Sequence, residues 1–400
     1  MATWPVKRMD ELCEITSSKR IFAADYVSEG VPFYRGREIT EKYKGNLDVS
    51  TELFITEEKF SEIERKFGAP KSGDLLLTSV GTLGSVYVVK PSDRFYFKDG
   101  NLTWFRNFQE LDSRFLYYWL GSPQGKAELQ KATIGSSQSA FTIVLLKGME
   151  MELPPLPVQR RIAGILSAYD ELMENSQRRI RLLEAMARAL YREWFVHFRF
   201  PGHEKLPRVA SPLGDIPQGW EVKKLGDVLE LNYGKALKQE DRSGGAVPVF
   251  GSSGIVGQHD TALVKGPGII VGRKGNVGSV FWCVEDFYVI DTAYFVTSSL
   301  PLRFLFYVLP TLNFLNSDAA VPGLSRNQAY TLEILVPPAA LLKKFCALAD
   351  TFERQASTLQ RQIQNLRRTR DLLLPRLLSG QATHPHPASP SGRGGELESA

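Results

Sequence analysis

Arginine, lysine, asparagine and glutamine are the side chains that meet phosphates and base edges. This 400-residue chain sets them repeatedly beside glycine. In GRKGNVG at 272–278, Arg273, Lys274 and Asn276 surround Gly275, which suits phosphate or guanine. GSSGIVGQHD at 251–260 offers Ser252, Ser253, Gln258 and His259 between glycines that let a backbone approach closely. In the first half, Tyr34, Arg35 and Arg37 surround Gly36, and Lys42, Lys44, Arg65 and Lys66 follow. Gln138 in GSSQSAF, and Arg326, Asn327 and Gln328 in GLSRNQAY, each precede a long helical stretch. Arg35, Arg37, Arg273, Lys274 and Asn276 are the stronger candidates, and the others have plainer uses. The lysines suit a solvated surface, the glycines suit turns, and the two segments before the helices suit loop satisfaction and capping.

A catalyst acting on nucleic acid would need more. The segment GSPQGKA at 121–127 has the wrong spacing for a phosphate loop of the G-x-x-x-x-G-K-[ST] type. An acidic cluster ending in E-x-K can be drawn through Asp48, Glu57 and Lys59 only within a stretch that differs between the two halves of the chain. His384 and His386 form no ligand set with the remote His197, His203 and His259, and Cys13, Cys283 and Cys346 are isolated. The expectation is a chain with no metal, no disulfide framework and no cofactor of its own, in a reducing cytoplasm. No signal peptide or membrane-spanning run is read. A net charge of +5 permits a nucleic-acid partner without demanding one.

These residues need elements to hold them. Ile162, Leu166, Tyr169, Met173, Ser176, Ile180, Leu183, Ala187, Leu190 and Trp194 fall at alternating steps of four and three, the period of a paired-helix seam. Adding 183 gives Phe345, Ala349, Phe352, Ala356, Leu359, Ile363, Leu366, Arg370, Leu373 and Leu377, the same seam in the same phase. The repeat extends to WPVKRM and WEVKKL, VPFY and VPVF, GTLGSVY and GNVGSVF, and RFLYY and RFLFY, in one order. Runs such as DLLLTSVG and GIIVGRKG read as strands, DSRFLYYWLG and LRFLFYVL as helices. The first copy is longer between 33 and 80, where 57–67 reads as a helix with Phe60, Ile63 and Phe67 on one face and Gly68 as its stop.

The expected class is α+β: two mixed α/β globules in pseudo-twofold arrangement, separated by two long antiparallel helices. The boundaries read as a globule over 1–153, a helix over 154–200, a linker over 201–220, a second globule over 221–336, a second helix over 337–380 and a disordered tail over 381–400. Pro375 is expected to kink or close the second helix.

With LPPLPVQRRIAGIL and VPPAALLKKFCALAD leading into the helices, and VPFYRGREI, VPVFGSSGIVGQHD and GRKGNVGSV before them, residues 4–380 resemble a specificity subunit of a type I restriction-modification system. The resemblance implies a non-catalytic DNA reader whose two target recognition domains each take one half of a split, asymmetric site on double-stranded DNA. It implies helices that set the gap, and recruitment of two modification subunits that methylate adenine with S-adenosylmethionine. It further implies restriction subunits that translocate with ATP and Mg, those cofactors lying on the partners. The second helix lacks the Gln-Arg pair of PVQRRI, which leaves partner contacts at that end open. The rivals are a stand-alone nuclease or methyltransferase, and a coiled-coil adaptor that binds protein only.

Overall fold

The computed structural model describes residues 4–46, 49–134, 139–314 and 323–379. Gln138, Asp48 and the tail over 381–400 lie outside them. The chain divides into two compact units, Met1–Ser176 with Arg361–Ala400, and Gln177–Gln360.

The first unit is built on a four-stranded antiparallel sheet of β2 (Glu14–Thr16), β7 (Leu102–Arg106), β4 (Leu75–Thr78) and β5 (Val86–Val88), in that order. Leucines at three successive positions of β4 serve both faces, because strand side chains alternate. Leu75 and Leu77 join Phe105 against Phe115, Leu116 and Trp119 of α3 (Ser113–Gly121). Leu76 joins Trp104 against Tyr34, Ile39 and Phe97 on the other face. The first strand, β1 (Val6–Arg8), pairs with the last, β8 (Glu150–Glu152). A parallel pair, β3 (Val31–Tyr34) with β6 (Tyr96–Phe97), completes the frame.

The second unit repeats this plan. Its sheet is β10 (Leu229–Tyr233), β16 (Ala293–Ser298), β13 (Gly268–Gly272) and β14 (Val280–Cys283), again antiparallel throughout. Ile269 and Val271 face Phe304 and Leu305 of α5 (Leu302–Val308), while Ile270 faces Phe250 and Phe287. Here β9 (Glu221–Lys224) pairs with β17 (Glu333–Val336), and β11 (Val247–Gly251) lies parallel to β15 (Tyr288–Val289). Identical strand order in both units bears out the duplicated frame.

The units differ between the first strand of the parallel pair and the second sheet strand. The first unit inserts α1 (Gly36–Tyr43) and α2 (Glu57–Phe67), whereas the second continues into the hairpin strand β12 (Gly254–His259). Helix α2 starts where Thr56 accepts from the Lys59 amide and stops at Gly68, whose φ is +83°. Phe60 and Ile63 are buried as expected, but Phe67 is 47% exposed and lies under the Lys19 ammonium. The last turn of α2 simply runs past the edge of its core.

The long helices are α4 (Leu156–Tyr191) and α7 (Ala339–Leu378), about 54 and 60 Å at 1.5 Å per residue. Every seam position is buried or half-buried, while off-seam Leu172, Leu182, Met186, Leu348 and Leu372 are exposed. In the first unit, Ile162 and Leu166 of α4 share a core with Leu373, Leu374 and Leu377 of α7. Asp170 pairs there with Arg370, so α4 begins beside the end of α7, antiparallel. In the second unit, Tyr191 near the end of α4 packs on Phe345 near the start of α7. Pro375 does not close α7, which continues to Leu378. It sits in the last turn, where its missing amide forfeits a single helical bond.

Two expectations change. Residues 201–220 are more than a linker: Arg208–Ser211 and Gly214–Pro217 form a hairpin, and Ile216 and Trp220 anchor it in the second unit's core. The glutamine of PVQRRI has an internal use, while Arg160 is exposed. Gln159 is fully buried, accepts from the Asp112 amide and donates to the carbonyls of Glu110 and Pro154, all at 2.8 Å. It clasps the start of α4 to the loop that caps α3. The matching place on α7 is Leu342, buried in apolar core, where no such clasp is needed.

Asp170 also accepts from the Tyr118 hydroxyl of α3 at 2.6 Å, so one carboxylate ties α3, α4 and α7 together. Burial and this carboxylate push the Tyr118 phenol well above its usual value. Replacing Asp170 by alanine leaves the half-buried Arg370 guanidinium with Asp371 as its remaining acid and the Tyr118 hydroxyl without its acceptor, an expected loss of about 2 kcal/mol in denaturant unfolding. Asp170→Leu combined with Arg370→Leu should recover most of it. A double variant no better than the single one would show that the ion pair is not what the seam needs.

Among the described residues no helix is long and apolar enough to cross a membrane.

Candidate nucleic-acid interface

The glycine loop follows β13. Its frame comes from close backbone packing: the Gly272 amide donates to the Ser279 carbonyl at 2.8 Å, and the Gly278 amide to the Gly272 carbonyl at 2.9 Å. A side chain at Gly272 would stand 2.1 Å from the Asn276 carbonyl oxygen. The first unit has the same loop after β4, with Thr78 bonded to Ser85 and Gly84 to Thr78. The turn is therefore structural in both copies, and only the side chains it presents differ. Gly272→Ala is expected to force the loop open, costing about 2 kcal/mol or more. Faster amide exchange at Gly272 and Gly278 would register this, and unchanged exchange would refute it.

In the second unit this loop gathers separate candidates. The Leu324 amide donates to the Arg273 carbonyl, and Lys274 bridges to Gly323, which brings α6 (Arg326–Thr331) alongside. Strands β10 and β13 both run antiparallel to β16, so Tyr233 and Gly272 end at the same edge, paired with Tyr294 and Ala293. Two guanidinium groups meet the Tyr233 ring there, Arg273 at 4.9 Å and Arg326 at 4.6 Å from its centroid. Each is also pinned to main chain: Arg273 donates to the Asp291 carbonyl and Arg326 to the Leu231 carbonyl. Tyr294 lies beneath, its ring centroid 5.1 Å from that of Tyr233 and its hydroxyl bonded to the Leu324 carbonyl. Burial, then the Tyr233 hydroxyl, hold the Tyr294 phenol above its usual value. Tyr233 itself is 47% exposed.

The hairpin tip joins the same edge, since the Ser279 hydroxyl donates to the Ser252 carbonyl at 2.6 Å. Ser252 is buried and belongs to that scaffold, whereas Ser253, Lys274, Asn276 and Asn327 are exposed. Gln258 is exposed but sits at the other end of the hairpin, paired with Pro248. His259 shares a hydrogen bond with Ser243 there.

The first unit is different. Tyr34 is given to the core, stacked on Phe95 at 4.6 Å, with burial raising its phenol; it has no free face for a base. Arg35 and Arg37 both turn to Glu38, which is wholly buried and accepts the Arg35 amide at 2.8 Å, Arg35 Nη2 at 3.2 Å and Arg37 Nε at 3.0 Å. These bonds cap α1, a role the sequence reading did not assign to either arginine. Lys42 lies between the rings of Tyr34 and Tyr87 and pairs with Asp93. Lys44 pairs with Glu41 and Lys66 with Glu62, while Arg65 is exposed on α2. The E-x-K reading does not assemble: Glu57 turns to Arg94 and Lys59 to Asp25.

Sequence reading missed Tyr233. Its signal was an aromatic ending a strand directly before a glycine, on the face of Leu229 and Leu231 but at the strand's end, where it is half exposed.

Comparison with known proteins supplies the family. The model described as type I restriction modification DNA specificity domain matches residues 1–185 and again 217–366. The chain belongs to the type I restriction-modification specificity family. Each match takes in one globule and the greater part of the helix after it, the same repeat that the strand orders show. Among relatives of this specificity chain, the type I restriction enzyme MjaIX specificity subunit of Methanocaldococcus jannaschii is 27% identical over 94% of this chain and 93% of the relative. The putative MjaX specificity subunit of the same organism is 21% identical over 91% and 92%. A crystal structure of the S subunit from M. genitalium covers 94% of this chain and 96% of that one, with 18% identity and a TM-score of 0.60, a likeness of fold.

Proposed function

We propose that this chain is the non-catalytic, sequence-reading subunit of a type I restriction-modification complex. Its two target recognition domains each bind one half of an asymmetric, bipartite site on double-stranded DNA. The helices set the distance between the halves. The chain recruits two modification subunits that carry S-adenosylmethionine, and restriction subunits that carry ATP and Mg. The reading rests above all on one observation: one frame occurs twice, with different side chains at matching edges. A repeated frame with unlike edges suits two different half-sites rather than a palindrome.

Methylation mapping in cells with and without this chain tests the proposal. One split motif with unlike halves should appear only when chain and modification subunits are both present. The purified chain should neither methylate nor cut DNA. A palindromic motif, or turnover by the chain alone, would overturn the reading. DNA-independent assembly with no motif would favour the adaptor.

A further inference from the structure

Several arginines of the described residues are neutralised by an acid. Arg94 pairs with Glu57, Arg106 with Glu14, Arg199 with Glu193, and Arg35 and Arg37 share Glu38. No carboxylate pairs with Arg273 or Arg326 among the described residues. Instead their partners are the Tyr233 ring, main-chain carbonyls and, for Arg273, Tyr294 as well, which fix the guanidinium groups and leave both positive charges standing. Lys274 adds a third cation, exposed on the same loop.

The same place in the first unit is uncharged. Thr78 pairs with Leu102 where Gly272 pairs with Ala293, so Ser79 and Thr103 occupy the positions of Arg273 and Tyr294. Their hydroxyls bond to each other at 2.6 Å and both are buried.

We propose that Tyr233, Arg273 and Arg326 form a preformed clamp that anchors the second unit to DNA, and that the first unit has no counterpart at this edge. This rests on the DNA-reading role proposed above. The clamp takes a planar acceptor pair, either two phosphate oxygens or the O6 and N7 of a guanine. Guanidinium matches both because its donors lie in one rigid fork. Tyr233 holds that fork in place through its ring, so orientation is settled before the duplex arrives. Among the described residues two unneutralised charges stand at this edge of the second unit, and the uncharged Ser79 and Thr103 at the matching place of the first, so the halves are unequal: the second half-site carries more of the salt-sensitive affinity.

The test uses the full chain assembled with its modification subunits and a labelled duplex carrying the motif from methylation mapping. Binding is measured by fluorescence anisotropy across a salt series. Arg273→Ala and Arg326→Ala should each weaken binding about 10-fold or more. Loss on every sequence with a salt slope shallower by about one per arginine identifies phosphate. Loss confined to duplexes with one guanine in the second half-site, and absent when that base pair is changed, identifies the guanine edge. Both results support the clamp. Arg273→Lys and Arg326→Lys keep the charge and should still weaken binding, and Tyr233→Phe should bind as the unaltered chain does. Thermal melting of each variant guards against unfolding. If the double alanine variant is folded and binds within twofold, with the same salt slope, the clamp is wrong. If the lysine variants bind normally, the fork is wrong. If the unaltered complex prefers no sequence at all, the failure lies with the DNA-reading role instead.

Discussion

Glu38→Ala should be among the most destabilising single changes in the first unit, by about 2–4 kcal/mol. The carboxylate is wholly buried, yet both its neighbours are guanidinium groups and its oxygens take three hydrogen bonds. Burial alone would raise its pKa. The bonds from Arg35 and Arg37 outweigh that, and the pKa lies below the ordinary glutamate value. The sign of the pH effect follows. A depressed folded pKa means the folded chain binds fewer protons, so the contribution is complete above the unfolded value of about 4.3. It is lost as pH falls through the lower, folded value. Glu38→Gln keeps the shape and loses the charge, so it should remove that acid-dependent part of stability while costing less than alanine. Hydrogen exchange reads the effect locally. Amides over 36–43 and 75–78 should lose protection in Glu38→Ala while those over 268–272 keep theirs. Equal protection in both proteins would mean the cap does not hold α1.

Glu38 also marks where sequence reading stopped. The seam was legible because its information is periodic. Ten positions in each helix follow one spacing, and burial respects all of them, down to the polar Ser176 and Arg370. Strands β4 and β13 were legible too, since aliphatic runs between glycines leave few alternatives. The arginines were not. Arg35 and Arg37 had the right type and the right glycine for a nucleic-acid contact, and an acid three residues after Arg35 took them both. That spacing is the signature of a helix start, so the signal was present and was read as something else. Tyr34 failed differently. A strand side chain can face either way, and only the parallel pairing of β3 with β6 turns it onto Phe95. Conversely, the clamp at Tyr233 joins residues 40 and 93 positions apart in the chain, which no local pattern links.

Removing one heptad from each long helix, residues 173–179 and 361–367, should abolish methylation at the original motif and create activity at a new one. Each deletion takes two seam positions, Met173 and Ser176 from α4, Ile363 and Leu366 from α7. The phase on either side therefore survives, and the apolar residues that remain still meet apolar partners. Seven residues carry about 10 Å of helix rise, close to three base pairs at ~3.4 Å each. Neither deletion touches the edge that holds Tyr233, Arg273 and Arg326, nor any residue of the two sheets. The half-sites should accordingly keep their bases, and the gap between them should shrink by about three pairs. Deleting the heptad from α4 alone puts the two seams out of step and should cost assembly altogether. Sequencing of methylated DNA from cells carrying each variant separates the cases. A new spacer with the old half-sites means that the helices encode distance and the edges encode sequence. Altered bases at the old spacing would mean that α4 and α7 take part in reading, and the division of labour between seam and sheet edge would have to be abandoned.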